Sequence, residues 1–131
     1  MKSVTIRGSG LTLEEIVGVA RHFVPVKIAK EAEVRVKKSR SIVEEKAAGE
    51  KLYYAINTGF GDLCNVKISK KDLAKLQINL IRSHSVGVGE LLSEEVVRSA
   101  MLIRLNTLLQ GNSGVRLIVC QLLVDFLNHR I

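Results

Sequence analysis

Three hydroxyl residues mark out helices before any other signal in the chain is read. Thr12, Ser69 and Ser93 each precede an apolar run of helical spacing, with Glu15, Asp72 or the Glu94–Glu95 pair in the turn that follows. A hydroxyl at that place accepts a first-turn backbone N–H, and a carboxylate there meets the positive end of the helix dipole. Thr12 with Glu15 reads as a complete capping box, whose helix turns Ile16, Val19, Ala20 and Phe23 inward and ends ahead of Pro25. Ser69 with Asp72 opens a helix to about Arg82 that carries Leu73, Leu76 and Leu80, with Gln77 and Ile81 beside them. Ser93 opens another, striped by Val97, Met101, Leu105 and Leu108. A charged helix is expected from Ile28 to Ala48, with Ala32, Val36, Val43 and Ala47 on one side and Gly49 as its stop. A last helix follows Gly111-Asn112-Ser113-Gly114 and is apolar nearly all round except at Gln121, Asp125 and Asn128. A helix of that kind is covered by something, and 131 residues supply too little cover. Ser3 to Arg7 alternates about Val4 and Ile6 and reads as a short strand ended by Gly8 and Gly10. The expected fold is mainly α, about five helices with one or two short strands, in a single domain over residues 1–131.

Composition supports a packed chain and narrows its partners. Apolar residues make up 47%, and there is one proline and no tryptophan, as suits a mostly helical domain. The formal charge of +7 is spread along the chain, its densest groups being Arg35 to Arg40 and Lys67 to Lys75 on solvated helix faces. With little aromatic interleaving and no zinc or RNA-binding pattern, nucleic acid is not the expected partner. The charge is expected to be balanced elsewhere in a longer protein or assembly. Cys64 and Cys120 are far apart in the chain and read as free thiols of a reducing cytoplasm, Cys120 as core packing. No metal-ligand pattern and no signal-peptide-like N-terminal segment are found, and Arg116, Gln121 and Asp125 interrupt the longest apolar stretch, so no membrane span is expected.

One stretch carries chemistry. Tyr53 to Asp62 places two tyrosines, Asn57, Thr58 and the glycines 59 and 61 within ten residues. Leu52 to Ile56 reads as extended and Asn57-Thr58-Gly59 as a turn, with Phe60 held between two glycine joints. A segment so built can close over a ligand.

Tyr54-Ala55-Ile56-Asn57-Thr58-Gly59-Phe60-Gly61 closely resembles the tyrosine loop of the histidine, phenylalanine and tyrosine ammonia-lyases. Leu80 to Gly89, reading Leu-Ile-Arg-Ser-His-Ser-Val-Gly-Val-Gly, resembles the substrate-side segment of the histidine and tyrosine members, and Arg104 to Arg116 resembles the helix-turn-helix that follows. The matches come in the family's order and cover the second half of the chain. The resemblance implies the N-terminal domain of the ammonia-lyase (aspartase-like) fold in a cytoplasmic homotetramer. It also implies an electrophilic 4-methylideneimidazole-5-one (MIO) ring, formed from Ala-Ser-Gly, that lets ammonia leave an aromatic amino acid. By motif Tyr54 is the base, with Tyr53 a packing neighbour. A phenol of reference pKa about 10 must be helped to ionise at neutral pH by a closed site with cations or donors. His84 matches the histidine facing the substrate ring, where phenylalanine-specific members have an apolar residue, and Gly61 is a candidate for close backbone contact with substrate. An imidazole can hydrogen-bond a polar ring and has nothing to bond on a phenyl. Histidine is therefore the favoured substrate, with tyrosine next, although Asn106 to Gly111 looks more like the phenylalanine and tyrosine branch. The family more often has Gly where this chain has Ala55, a change expected to stiffen the loop.

The sequence contains no Ala-Ser-Gly: Asn112-Ser113-Gly114 lacks the alanine and Ala47-Ala48-Gly49 the serine. Two readings follow. The chain is the N-terminal part of such a lyase, inactive without the remainder of that chain, or it is a non-catalytic helical interaction module of the same ancestry.

Overall fold

The structure, a computed structural model, describes residues 2–131, Lys70 through its backbone. The chain forms two compact units: residues up to Ser41 together with Leu91–Ile131, and Ile42–Glu90. Its elements bear out a mainly helical fold with two short strands.

In the first unit β1 (Val4–Ile6) and β2 (Val26–Ile28) pair in parallel, Val4 opposite Val26 and Ile6 opposite Ile28. The helix α1 (Leu13–His22) is the crossover between them, and its Thr12–Glu15 capping box is fully formed. Val19 and Ala20 are buried as expected, while Ile16 and Phe23 are half-buried. The strand β2 corrects the sequence reading, which began a helix at Ile28. The helix α2 (Lys30–Ala48) starts two residues later, because Ile28 is spent in the ladder and the Ala29 N–H closes on the Ile6 carbonyl at 3.0 Å. Three residues of strand are too few to show a period of two against a helical background.

Helices α4 (Glu94–Leu108) and α5 (Leu117–His129) complete this unit; α4 packs against both α1 and α5, and α5 against β2. Ser93 is the N-cap of α4, although its side chain makes no capping hydrogen bond. The buried face of α4 is Arg98, Leu102, Leu105 and Leu108, a rotation from the expected stripe that leaves Val97 and Met101 half-buried at its border. The cause is Arg98, whose charge reads as solvent-facing in a sequence and which is only 4% exposed.

Arg98 is buried because it caps two helices at once. Its Nε and Nη2 donate to the Val19 carbonyl at 3.2 and 2.9 Å, and its Nη1 donates to the Leu127 carbonyl at 3.0 Å. Both carbonyls lie in last turns, of α1 and α5, where helix oxygens lack partners and the dipole is negative. Burial lowers the pKa of the guanidinium, opposed by the nearby Glu94 carboxylate and aided by Arg130. Phe23, the left-handed C-cap of α1 at φ 54°, lays its ring under both Arg98 and Arg130, whose guanidinium carbons lie 4.6 and 3.9 Å from the ring centre.

Asn128 seals the open edge of the strand pair. Its Oδ1 accepts the Val26 N–H at 2.8 Å and its Nδ2 donates to the Val26 carbonyl at 3.0 Å, as a neighbouring strand would. Cys120 is fully buried, which pushes its thiol pKa up, as a core cysteine's should be. The outer face of α5 leaves Ile118, Val119, Leu122 and Phe126 between 36% and 51% exposed.

The second unit holds the loop after α2 and the helix α3 (Lys70–His84), capped by Ser69 through the Asp72 N–H at 3.3 Å. Leu73, Leu76 and Leu80 are half-buried, whereas Gln77 and Ile81 are exposed. The helix runs two residues past Arg82, so His84 closes it rather than following it. No regular element lies between His84 and Glu94.

Candidate functional site

Around Tyr54 the backbone turns one step earlier than expected. The Tyr53 carbonyl accepts the Ile56 and Asn57 N–H groups at 3.1 and 3.2 Å, so Tyr54–Asn57 is a turn and Leu52 to Ile56 is not extended. The left-handed residues are Ala55 at φ 60° and Gly61 at φ 56°, rather than Asn57 or Gly59. Gly59 is needed for a different reason: a Cβ there would stand 2.6 Å from the Leu63 Cβ.

Two buried polar side chains explain why the turn falls where it does. Asn57, 1% exposed, accepts the Tyr53 N–H on Oδ1 at 2.8 Å and donates its Nδ2 to the carbonyls of Lys51 at 2.9 Å and Lys46 at 3.3 Å. Thr58, fully buried, accepts the Ala55 N–H on Oγ1 at 3.2 Å and donates its hydroxyl to the Gly59 carbonyl at 3.0 Å. Behind them an antiparallel bridge pairs Thr58 with Lys67. Flanking it, the Ile68 N–H meets the Asn57 carbonyl at 2.9 Å and the Gly59 N–H meets the Val66 carbonyl at 3.2 Å. Both side chains were legible as turn-formers, but nothing in the sequence marked them as buried.

Ala55 sits where alanine is strained, at a cost of about 1–2 kcal/mol relative to glycine's free choice of hand. Ala55→Gly is therefore expected to stabilise this unit by about 1 kcal/mol in denaturant unfolding, the strain relieved less the added chain entropy. Both tyrosines of the chain lie in this loop and there is no tryptophan, so tyrosine fluorescence reads this unit alone. An unchanged or lower midpoint contradicts the strain.

The structure brings Tyr54 and Gly61 together. The Gly61 N–H points at the Tyr54 hydroxyl at 3.5 Å, and the Phe60 ring meets the Tyr54 ring edge-on, 6.2 Å between centres at 78°. Tyr54 is otherwise open, 61% exposed, and nothing lies within 4 Å of where a Gly61 Cβ would be. Tyr53 instead lies against the protein, its ring faced by the Lys46 and Lys51 ammonium groups at 5.4 and 5.7 Å. His84 keeps its hydrogen bonds inside its own helix: Nδ1 lies 3.0 Å from the Leu80 carbonyl and 2.9 Å from the Ser83 Oγ, and its ring is exposed. Clefts of about 380 Å³ beside Asn57 and Lys67, and about 500 Å³ beside Arg7 and Arg35, are lined by none of Tyr54, Gly61 and His84. The three candidates thus stand on open surface of one unit, presented outward.

Gly114, in Asn112-Ser113-Gly114, does not fit an Ala-Ser-Gly ring precursor. Alanine is missing at Asn112, and the Gly114 amide donates to the Ser39 Oγ at 3.0 Å while its carbonyl accepts from the Arg40 Nη1 at 3.3 Å. A nitrogen held in that way is a structural turn.

The sequence model of the family described as aromatic amino acid lyase matches residues 11–131, all three candidates included. The chain belongs to that family. It is similar to histidine ammonia-lyase of Streptococcus sanguinis, 46% identical over 95% of this chain and 24% of that protein. Among solved structures it resembles ergothionase from Treponema denticola, with TM-score 0.92 and 36% identity over 98% of this chain and 26% of that one. It also resembles tyrosine aminomutase from Streptomyces globisporus, with TM-score 0.90 and 37% identity over 98% of this chain and 24% of that one. The chain spans about a quarter of the length of the curated relatives it matches. These likenesses bear out the helical lyase fold and extend the resemblance to the first fifty residues.

Proposed function

We propose that this chain is the N-terminal part of an ammonia-lyase that eliminates ammonia from histidine, with Tyr54 as the base. The observation that carries the reading is the family match, which runs unbroken through the Tyr54 loop. In the reaction the phenolate oxygen of Tyr54 takes the proton from the carbon next to the ring. The C–H pair becomes the new double bond as the C–N bond breaks, and the C–N electron pair leaves with the protonated amine as ammonia. The Gly61 N–H is aimed at that oxygen. Likeness to named histidine ammonia-lyases at 46% identity supports histidine over tyrosine as substrate. His84, exposed at the end of α3, offers its imidazole to a polar ring.

The rest of the site, including the electrophile built from Ala-Ser-Gly, belongs to the remainder of the protein and to other copies in a cytoplasmic homotetramer. The open position of Tyr54 and the bare outer face of α5 both call for such cover. The second reading, a non-catalytic assembly module, is favoured by that same α5 face. The two part on turnover: the complete protein should convert histidine to the unsaturated acid, followed by its ultraviolet absorbance, and a protein that assembles without turnover is the module. Within the enzyme, His84→Leu is expected to move the ratio of kcat/KM for histidine over phenylalanine down by about a hundredfold, the worth of a lost polar contact in a specificity site. An unmoved ratio removes His84 from the substrate pocket.

A further inference from the structure

We propose that Thr58 is a positioning residue for Tyr54: its buried hydroxyl fixes the peptide plane joining Tyr54 to Ala55, and so sets where the phenol stands. The inference rests on the reading of Tyr54 as base.

The Ala55 N–H belongs to the Tyr54–Ala55 peptide and donates to the Thr58 Oγ1 at 3.2 Å. Thr58 spends its own hydroxyl proton on the Gly59 carbonyl at 3.0 Å, which leaves the oxygen's lone pairs for Ala55. Thr58 does not move easily, being fully buried and paired with Lys67 in the antiparallel bridge. On the other side of Tyr54, the Tyr53 N–H is held by the Asn57 Oδ1 at 2.8 Å. The stretch is therefore held by two side-chain acceptors, one on the Tyr54–Ala55 peptide and one on the Leu52–Tyr53 peptide before it, while the Tyr54 side chain stays 61% exposed.

Such a hold has a purpose at this place. Ala55 is held at φ 60°, a hand that alanine resists, and a peptide under that strain relaxes unless something restrains it. The Thr58 bond is the side-chain restraint on the peptide that carries Tyr54 into Ala55. A base that must remain uncovered to meet substrate cannot be positioned by packing. It is positioned through its backbone, and a drift of about 1 Å at the reacting atom costs on the order of a hundredfold in rate.

The test uses the complete enzyme. Thr58→Val keeps the shape of the side chain and removes the acceptor. It is expected to lower kcat about thirtyfold with KM within about twofold, and Thr58→Ser to restore kcat to within about threefold. In a Tyr54→Phe background Thr58→Val should add no further loss, because it acts through the phenol. An equal loss in both backgrounds, or an unchanged kcat, overturns the proposal. Hydrogen exchange at the Ala55 amide decides the matter separately from turnover: it should be slowed at least about tenfold in the unsubstituted enzyme and in Thr58→Ser, and released in Thr58→Val. An Ala55 amide exchanging at the unprotected rate in the unsubstituted enzyme overturns the proposal even if Thr58→Val does not fold. Should Tyr54→Phe itself turn over normally while Ala55 is protected, the base assignment fails and the Thr58 geometry stands without a catalytic purpose.

Discussion

With Tyr54 as the proposed base, Tyr54→Phe in the complete protein is expected to lower kcat about a thousandfold and to leave folding untouched. The size follows from general-base catalysis, which contributes about 10²–10⁴ in rate when the proton acceptor is removed. Phenylalanine keeps the ring and its edge-on contact with Phe60 and loses only the oxygen. That oxygen's hydrogen bond is a long 3.5 Å contact from the Gly61 N–H, on a side chain that is 61% exposed. Surface changes of this kind stay within about 0.5 kcal/mol, so the unfolding midpoint should not move. The check is paired: steady-state turnover of histidine and denaturant unfolding on the same preparation. A kcat within a few-fold of the unsubstituted enzyme assigns the proton to another group.

Arg98→Met does the opposite, and its effect is in stability. Methionine has a similar reach and no donors, so it fills the space while leaving the Val19 and Leu127 carbonyls buried without the three N–H groups that now meet them. An unsatisfied buried group costs about 1–3 kcal/mol, and two helix ends lose theirs together. The expected loss is about 3–5 kcal/mol, against a whole-domain stability of about 5–15 kcal/mol. Phe23 adds to it, since one of the two cations above its ring is gone while its left-handed backbone remains. Chemical denaturation of the chain measures this directly. Arg98→Lys is the useful companion: it keeps the charge but gives one ammonium for a fork that spans two helices, and should recover only part of the loss. A Met variant within about 1 kcal/mol of the parent would mean that water replaces the guanidinium.

The helices were legible where local chemistry decides them. Thr12 with Glu15 and Ser69 with Asp72 name their own helix starts, because a cap and its partner lie within one turn of sequence. Illegible features depend on residues far apart in the chain. The Val26–Ile28 strand exists through Val4–Ile6 and Asn128, and the true inner face of α4 through Val19 and Leu127. At the candidate site, Tyr54, Gly61 and His84 are singled out by their motifs, and periodicity alone would have passed over them. Tyr54 and Gly61 do meet, but the turn that sets them was misplaced. Sequence rules give the left-handed hand to Asn57 or Gly59, whereas Ala55 takes it against its own preference, because Thr58 and Asn57 spend their side chains on the backbone around it.

The amide of Asn128 on Val26 carries a consequence for synthesis. The two groups lie 102 residues apart, so the strand pair leaves the ribosome with a bare edge and waits until α5 has been made. Long-range closure of that kind is slow, and an unsealed parallel pair is a template for pairing with other chains. A nascent chain here stays sticky until Asn128 is in place, and a ribosome that stalls between Ile28 and Asn128 leaves a product with its β-edge open to its neighbours.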